Sequence, residues 1–369
     1  MAELPSSAAV VVIGGGIMGT SAAYHLAAAG VDVAVLERDT IGSGATGKSA
    51  GGFRAQFSDE LNVRMAVENI RRLERFEAEF ATGIDLTQHG YLFLLRGSEV
   101  DTFRRAVGMQ RSLGVPSELI TAEAALDMVP GIRIHDVAAA TFCAWDGSCT
   151  PESVALGYAR AASCHGAAIV QGCEVTAIAV SNGRIRGVNT SNGFVSSPEV
   201  VLTAGVWSPR LAAPLGVRMP VRAVQRHIWL TRGSDPFPRR LPLVIDFATG
   251  FYFHREAKGL AMGGREQTIE DLAPAVINRA PALIEMEVTH SWWGYYAVTP
   301  DNNAIIGTAP GIERLRYATG FSGHGFQQGP VVGEHLAELV LGSEPTFDLS
   351  PFAMDRFETG SVLPETAVI

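Results

Sequence analysis

The chain has 369 residues, 47% of them hydrophobic and 18% charged, with a net charge of −9 and a pI near 5.5. Such a composition belongs to a folded globular protein with room for two lobes and excludes a disordered or fibrous chain. Nucleic acid is excluded as a partner too, since no run of Lys and Arg is present to neutralise successive phosphates.

The first forty residues read strand, turn, helix, strand: AAVVVIG, GGIMGTSAAYHLAAAG, VDVAVLE. From Pro5 to Val31 there is no Asp, Glu, Lys or Arg, a length that imitates a signal peptide or a spanning helix. Glu3 precedes it where a basic residue belongs, and three consecutive glycines, Gly14 to Gly16, split a β-rich run from a helical one. Neither a targeting segment nor a membrane span is expected.

Gly14-x-Gly16-x-x-Gly19 falls between this strand and this helix. Gly14 makes the turn, Gly16 lets a pyrophosphate approach the backbone, and Gly19 lets the helix pack on the strand. The helix N-terminus then offers N–H groups to the anion. Glu37 closes the second strand 21 residues after Gly16, where a carboxylate accepts hydrogen bonds from ribose hydroxyls and disfavours the 2'-phosphate of NADP. The glycines alone do not separate NAD from FAD.

A Gly/Ser-rich loop, IGSGATGKSAGGFR, leads into an amphipathic helix from about Ser58 to Phe80, closed by Gly83. A strand GYLFLL and a helix from about Ser98 to Leu113 follow. CTPESVALGYARAASCHG reads as a helix entered through Pro151 and ended by Gly166. Hairpins are expected at Asn182-Gly183 and Asn192-Gly193, and VVLTAG, at 200–205, is a short buried strand. Residues 221–300 are strand-rich, with one helix near Pro274 to Glu287. The stretch RYATGFSGHGFQQGPVVGEHLAELVLG again reads strand, Gly-rich turn, helix. This second turn favours FAD, because the isoalloxazine needs another loop of the same lobe.

The four cysteines, Cys143, Cys149, Cys164 and Cys173, contain no C-x-x-C pair. No metal site and no disulfide framework are expected, and a cytoplasmic location fits. The βα pieces at both ends imply an α/β protein with a discontinuous Rossmann-like FAD-binding lobe and an inserted mixed-β substrate lobe. The expected division assigns 1–85, 145–220 and 301–369 to the first, and 86–144 and 221–300 to the second.

Taken together, VVIGGGIMGTSAAYHLAAAG with VLER, GSGATGKSAGGFRAQF, HGYLFL, DGSCTPE, GCEVTAI, VVLTAGVWSPRLA, GYYAVTPDNNAIIG and ATGFSGHGFQQGPVVGEHLAEL resemble the D-amino-acid oxidase superfamily over nearly the whole chain. Within it the likeness is to the group of sarcosine oxidase, glycine oxidase and dimethylglycine dehydrogenase, above all to the beta subunit of heterotetrameric sarcosine oxidase and to proline dehydrogenase subunits. The resemblance implies an FAD lobe of the p-hydroxybenzoate hydroxylase type. It also implies oxidation of an amino acid or N-alkyl amino acid at its C–N bond, by hydride transfer to flavin N5 with hydrolysis of the imine.

It further implies roles. Arg54 pairs with the substrate carboxylate, which a planar guanidinium suits. Tyr296 walls the substrate pocket, His324 structures the loop beside the flavin, and the N–H groups of Gly325, Phe326 and Gln327 face developing negative charge on the ring. Thr46, Gly47, Ser49 and Ala50 contact the flavin or its phosphates, with Ser43 and Gly51 in the same loop. Ile17, Met18 and Arg38 extend the nucleotide site, Val175 serves the adenine side, and Ala204, Gly205, Trp207 and Gly323 complete it.

Departures from the family matter as well. Gly294 and Lys48 stand where relatives carry flavin-linking cysteine and histidine, so FAD is expected to be non-covalent. Ala261 stands at the place of an oxygen-activating lysine, and Gln327 at that of a lysine that helps hold the carboxylate, for which Arg265 is a nearby substitute. Two alternatives stay open: an FAD-dependent 2-hydroxy-acid dehydrogenase, and a flavin-binding subunit that works only with a partner. The expected assembly is a hetero-oligomeric electron-transfer subunit or a homo-oligomer, with a small amine or amino acid as substrate.

Overall fold

The computed structural model describes residues 3–233, 237–257 and 259–368. A six-stranded sheet runs in the order 305–308, 315–319, 200–202, 10–13, 33–36, 168–170, parallel except for the antiparallel edge strand Ile305–Thr308. Its central strand, Val10–Ile13, is buried on both faces: Val10 and Val12 join one apolar cluster, Val11 and Ile13 another. Continuous apolar runs of this kind are what a parallel strand covered on both sides requires.

The helices Ile17–Ala28, Pro151–Cys164 and Gly325–Leu341 pack together within the first cluster. The first helix is buried on nearly every side, which is why the uncharged stretch around it imitates a membrane span. None of the described helices is long and apolar enough to cross a membrane. Close approach is built in: a β-carbon on Gly333 would lie 2.3 Å from that of Ser21, and one on Gly329 would lie 2.3 Å from Ile17.

A second, eight-stranded sheet has the order 287–298, 222–232, 259–263, 252–256, 243–246, 91–95, 139–143, 118–120. In Tyr91–Leu95, Leu92 and Leu94 face a core that includes the helices Ala122–Met128 and Ile269–Arg279, while Tyr91, Phe93 and Leu95 face the opposite way. The period of two in a strand thus turns Tyr91 and Phe93 away from that core. The two Asn-Gly turns join a small antiparallel sheet of Val175–Ser181, Arg184–Thr190 and Gly193–Ser196.

Two helix boundaries differ from the sequence reading. Glu60–Phe80 is started by Asp59, whose side chain accepts from Asn62 N–H at 3.0 Å, but it ends at Ala81 in the left-handed region (φ 47°), not at Gly83. The later helix runs Ile269–Arg279, with Pro274 inside it, and a separate 3-10 turn follows at Pro281–Glu285. Thr268 moves its start forward by accepting from Asp271 N–H at 3.1 Å.

Candidate active site

An open cleft with about 1800 Å³ of empty space, its mouth included, crosses the carboxyl ends of the parallel strands. Its length, from Glu37 to the Phe321–Phe326 turn, suits an elongated dinucleotide. At one end lie Glu37, Arg38, Asp39 and the backbone of Glu174–Thr176; in the middle, Gly14 to Met18 and Thr203 to Trp207; at the other end, Lys48 to Ala50, Gly294 to Ala297 and the Phe321–Phe326 turn.

The cleft's own geometry fits FAD. Gly14 has φ 103°, and a β-carbon there would lie 2.7 Å from the Thr203 carbonyl oxygen. Gly16 starts the helix with no side-chain cap of its own and no acid in the first turn, which leaves the N–H groups beyond Ile17 for an anion. Thr46 Oγ1 accepts from Ile17 N–H at 3.1 Å and fixes the Gly/Ser loop across that end. The Glu37 carboxylate is held by Gly15 N–H at 2.7 Å and Asp39 N–H at 2.8 Å, with lone pairs to spare for ribose hydroxyls. The Arg38 guanidinium stacks 4.4 Å above the Trp207 ring.

Of the residues expected to hold the cofactor, Gly14, Gly16, Ile17, Met18, Glu37, Arg38, Ser43, Thr46, Ser49, Ala50, Val175, Ala204, Gly205, Trp207, Gly323, Gly325 and Phe326 line this cleft. Gly19, Gly47 and Gly51 do not: they shape the backbone behind it. Gly47 N–H donates to the Gly42 carbonyl at 2.7 Å, and Gly51, at φ 74°, has its carbonyl accept from Cys149 N–H. His324 and Gln327 line a second, smaller cavity instead.

That second cavity adjoins the end of the cleft lined by Ser49, Ala50, Tyr296 and the Phe321–Phe326 turn, where an isoalloxazine ring would lie. Its walls are Phe93, Leu243, Ile245 and the three tyrosines Tyr91, Tyr252 and Tyr296, with Arg54 on its floor. Tyr296 packs flat enough on Gly323 that a β-carbon there would lie 2.5 Å from its ring. Arg54 is only 5% exposed. Its Nη1 donates to the Gln56 carbonyl, its Nη2 donates to the Ala367 carbonyl at 2.6 Å, and Nη2 lies 3.2 Å from His324 Nε2. Phe57 and Phe93 flank the guanidinium at 4.1 and 5.5 Å. No carboxylate among the described residues pairs with it.

His324 therefore does more than order its loop. Because Arg54 can only donate, Nε2 must accept, which leaves the imidazole neutral with its proton on Nδ1. Burial, and then the neighbouring Arg54, hold its pKa well below the usual histidine value. Gln327 Oε1 accepts from the Arg54 backbone N–H at 2.7 Å, so its side chain positions the arginine. Arg265 is not brought to this chamber; its side chain packs over Gly250. Ala261 is buried in the sheet and lines neither cavity.

Three contributors carry roles that the sequence reading did not assign. Asp146, in the DGSC turn, is fully buried and accepts from Ala55 N–H at 2.7 Å and Gln56 Nε2 at 2.9 Å, which fixes the loop carrying Arg54. Burial pushes its carboxyl up to about 7, against the pull of these hydrogen bonds and of Arg54. Ionisation of Asp146 adds negative charge beneath the arginine. A plain carboxylate ligand is accordingly expected to bind several-fold more weakly as pH rises through about 7. Titration of flavin absorbance at several pH values measures this, and Asp146→Asn should flatten the profile.

Glu365 is the second, fully buried while accepting from Ser58 N–H at 3.0 Å, Ser58 Oγ at 2.6 Å and Ala367 N–H at 2.8 Å. The third is the T-P-D-N-N turn. Asp301 forms a two-pronged pair with Arg356 at 2.8 and 3.0 Å, and Asn303 Nδ2 donates to the Leu363 carbonyl at 2.5 Å. Those residues hold residues 363–368 against the chamber and touch no reacting group.

Comparison with known proteins agrees with this geometry. The beta subunit of sarcosine oxidase from Rhizobium meliloti (strain 1021) is 30% identical over 377 residues, covering 96% of this chain and 90% of that protein. Human mitochondrial sarcosine dehydrogenase is 28% identical over 385 residues; the match covers 96% of this chain but 42% of that longer protein. Among solved structures, L-proline dehydrogenase from P. horikoshii superposes with a TM-score of 0.91 at 33% identity, covering 98% of this chain and all (100%) of that one. The family model for FAD-dependent oxidoreductases, DAO, matches residues 9–339. A dinucleotide cleft of the right shape, relatives that span it end to end and this match together establish that the chain belongs to the DAO family of FAD-dependent oxidoreductases.

Proposed function

We propose that the enzyme oxidises the C–N bond of an amino acid or N-alkyl amino acid whose carboxylate is held by Arg54. One observation carries the reading: a buried guanidinium faces an aromatic chamber, its direct contacts two carbonyls and a neutral imidazole, with Glu365 and Asp146 acting on it only from beyond ion-pair distance. A buried cation with no carboxylate in contact is costly, and a substrate acid completes it. When bound, FAD supplies the acceptor for the hydride that leaves the carbon next to nitrogen.

The chain's own residues do the rest. Arg54 fixes one end of the substrate, and Tyr91, Tyr252 and Tyr296 exclude water around the C–H bond and hold it toward the ring end of the cleft. Among the described residues no Asp or Glu lines the chamber, and His324 has its lone pair directed at Arg54. An alcohol needs a base for its hydroxyl proton; an amine can enter as the free base. This favours amines over 2-hydroxy acids. The relative named as a beta subunit supports a further reading, in which electrons pass to a second subunit.

The test is an anaerobic screen of amines, N-methyl amino acids, cyclic imino acids and hydroxy acids, followed by flavin bleaching, with air then admitted to time reoxidation. Bleaching by hydroxy acids alone would overturn the amine reading. Bleaching that needs a second chain would favour the subunit reading.

The cofactor is also expected to be held without a covalent bond. Lys48 packs its stem beside Gly294 and places Nζ 5.1 Å from the Trp293 ring, and neither residue offers a thiol or imidazole. Acid precipitation should leave the yellow colour in the supernatant; colour retained in the pellet would contradict this.

A further inference from the structure

A second arginine faces the same space. Arg226 stands on the strand Arg222–Arg232 opposite Gly294, and with Ile228, two residues on, it lines the ring end of the cleft. Its guanidinium carbon lies 5.4 Å from the Tyr296 ring centroid. Tyr252 and Tyr296 line both the cleft and the Arg54 chamber, so the two spaces adjoin between the arginines.

Arg226 is poorly matched by the protein. Among the described residues its side chain makes one hydrogen bond, from Nη1 to the neighbouring Gln225 carbonyl at a long 3.3 Å, and its Nε is buried with no partner. None of the described carboxylates lies within ion-pair distance of it; Glu266 acts on it from farther off, and Arg265 opposes that pull. Phosphate is not its natural ligand here, because the uncapped helix start that suits the pyrophosphate lies in the middle of the cleft. A half-buried guanidinium with no ion pair among the described residues, at the edge of a chamber walled by aromatic rings, draws an anion or a strong acceptor.

We propose that Arg226 is a second anion receptor, and that the preferred substrate is an amino acid with two acidic groups, such as an aminodicarboxylate or an N-carboxyalkyl amino acid. The carboxylate next to the reacting carbon sits on Arg54 and the distal one on Arg226, with the tyrosine walls between. The proposal rests on the reading of Arg54 as a carboxylate receptor and narrows it to a substrate class.

The test uses the FAD-loaded enzyme and ligands that do not react. Butyrate, succinate and glutarate are titrated at neutral pH and fixed ionic strength, with flavin absorbance and calorimetry as readouts. At least one dicarboxylate is expected to bind about 10-fold or more tightly than butyrate. Arg226→Gln should erase that preference to within about 2-fold while leaving butyrate unchanged, and Arg226→Lys should keep part of it. Arg54→Gln should weaken all three acids.

Equal affinities in the wild-type enzyme, with dependence on Arg54 retained, would overturn the second receptor alone. A loss shared equally by butyrate and the dicarboxylates in Arg226→Gln would do the same, and would assign Arg226 to the flavin ring. Affinities that ignore Arg54→Gln would remove the underlying reading, and this proposal with it.

Discussion

Gly19→Ala is expected to give colourless protein. A β-carbon at position 19 would lie 2.0 Å from the Gly14 carbonyl oxygen and 2.8 Å from Thr203 Oγ1. Both neighbours belong to the turn and strand end that form the cleft floor, and a backbone oxygen cannot rotate away. The helix Ile17–Ala28 would have to lift from the sheet, taking the anion-binding N–H groups with it. FAD affinity should fall by more than about 100-fold, with a lower melting temperature even when FAD is added. Visible absorbance of the purified protein and its titration with FAD check this. Gly108→Ala is the control, because a β-carbon there meets nothing within 4 Å and lies in a helix. That change should be neutral or stabilising by about 0.5–1 kcal/mol. A Gly19→Ala protein that is yellow and binds FAD normally would remove the close-packing argument.

Arg54→Gln should spare the colour and damage the chemistry. The side chain lines the smaller cavity and not the nucleotide cleft, so FAD content is expected to stay at the wild-type level. For acidic substrates kcat/KM should fall roughly 100- to 1000-fold, the range expected when a buried charge-assisted contact is lost. Arg54→Lys should recover little, because an ammonium cannot reproduce a guanidinium that bonds the Gln56 and Ala367 carbonyls together. Steady-state kinetics with the best substrate of the anaerobic screen decide the matter. Unchanged kcat/KM in Arg54→Gln would end the carboxylate assignment.

The nucleotide half of the molecule is legible in the sequence because its signals are local. Gly14, Gly16 and Gly19 sit within six residues of one another, and Glu37 follows at the end of the next strand. The substrate half is less legible because it is assembled from distant strands. Tyr91 and Tyr252 come from strands far apart in the chain and face one chamber only through sheet pairing, and Arg226 reaches the adjoining cleft from a third strand. The helix end at Ala81 was missed because a non-glycine residue takes the left-handed conformation there.

Asp146 and Gln327 illustrate a further limit. Both stand in recognisable stretches, yet their work is to hold the Arg54 loop, across 91 and 273 residues of sequence respectively. A motif marks that such a residue matters without saying whether it touches substrate. The T-P-D-N-N turn is the clearest case: among the more distinctive stretches of the sequence, it serves to anchor a distant segment through Arg356 and Leu363.

The anchored segment separates two properties that are commonly assayed as one. Among the described residues none beyond Phe326 lines the nucleotide cleft, whereas Ala367 and Val368 close the Arg54 chamber. A preparation nicked by a protease behind residue 362 would keep every cleft-lining residue while losing the carbonyl that steadies Arg54. Yellow colour is therefore no certificate of an intact catalytic chamber, and intact mass belongs beside the absorbance spectrum whenever batches differ in turnover.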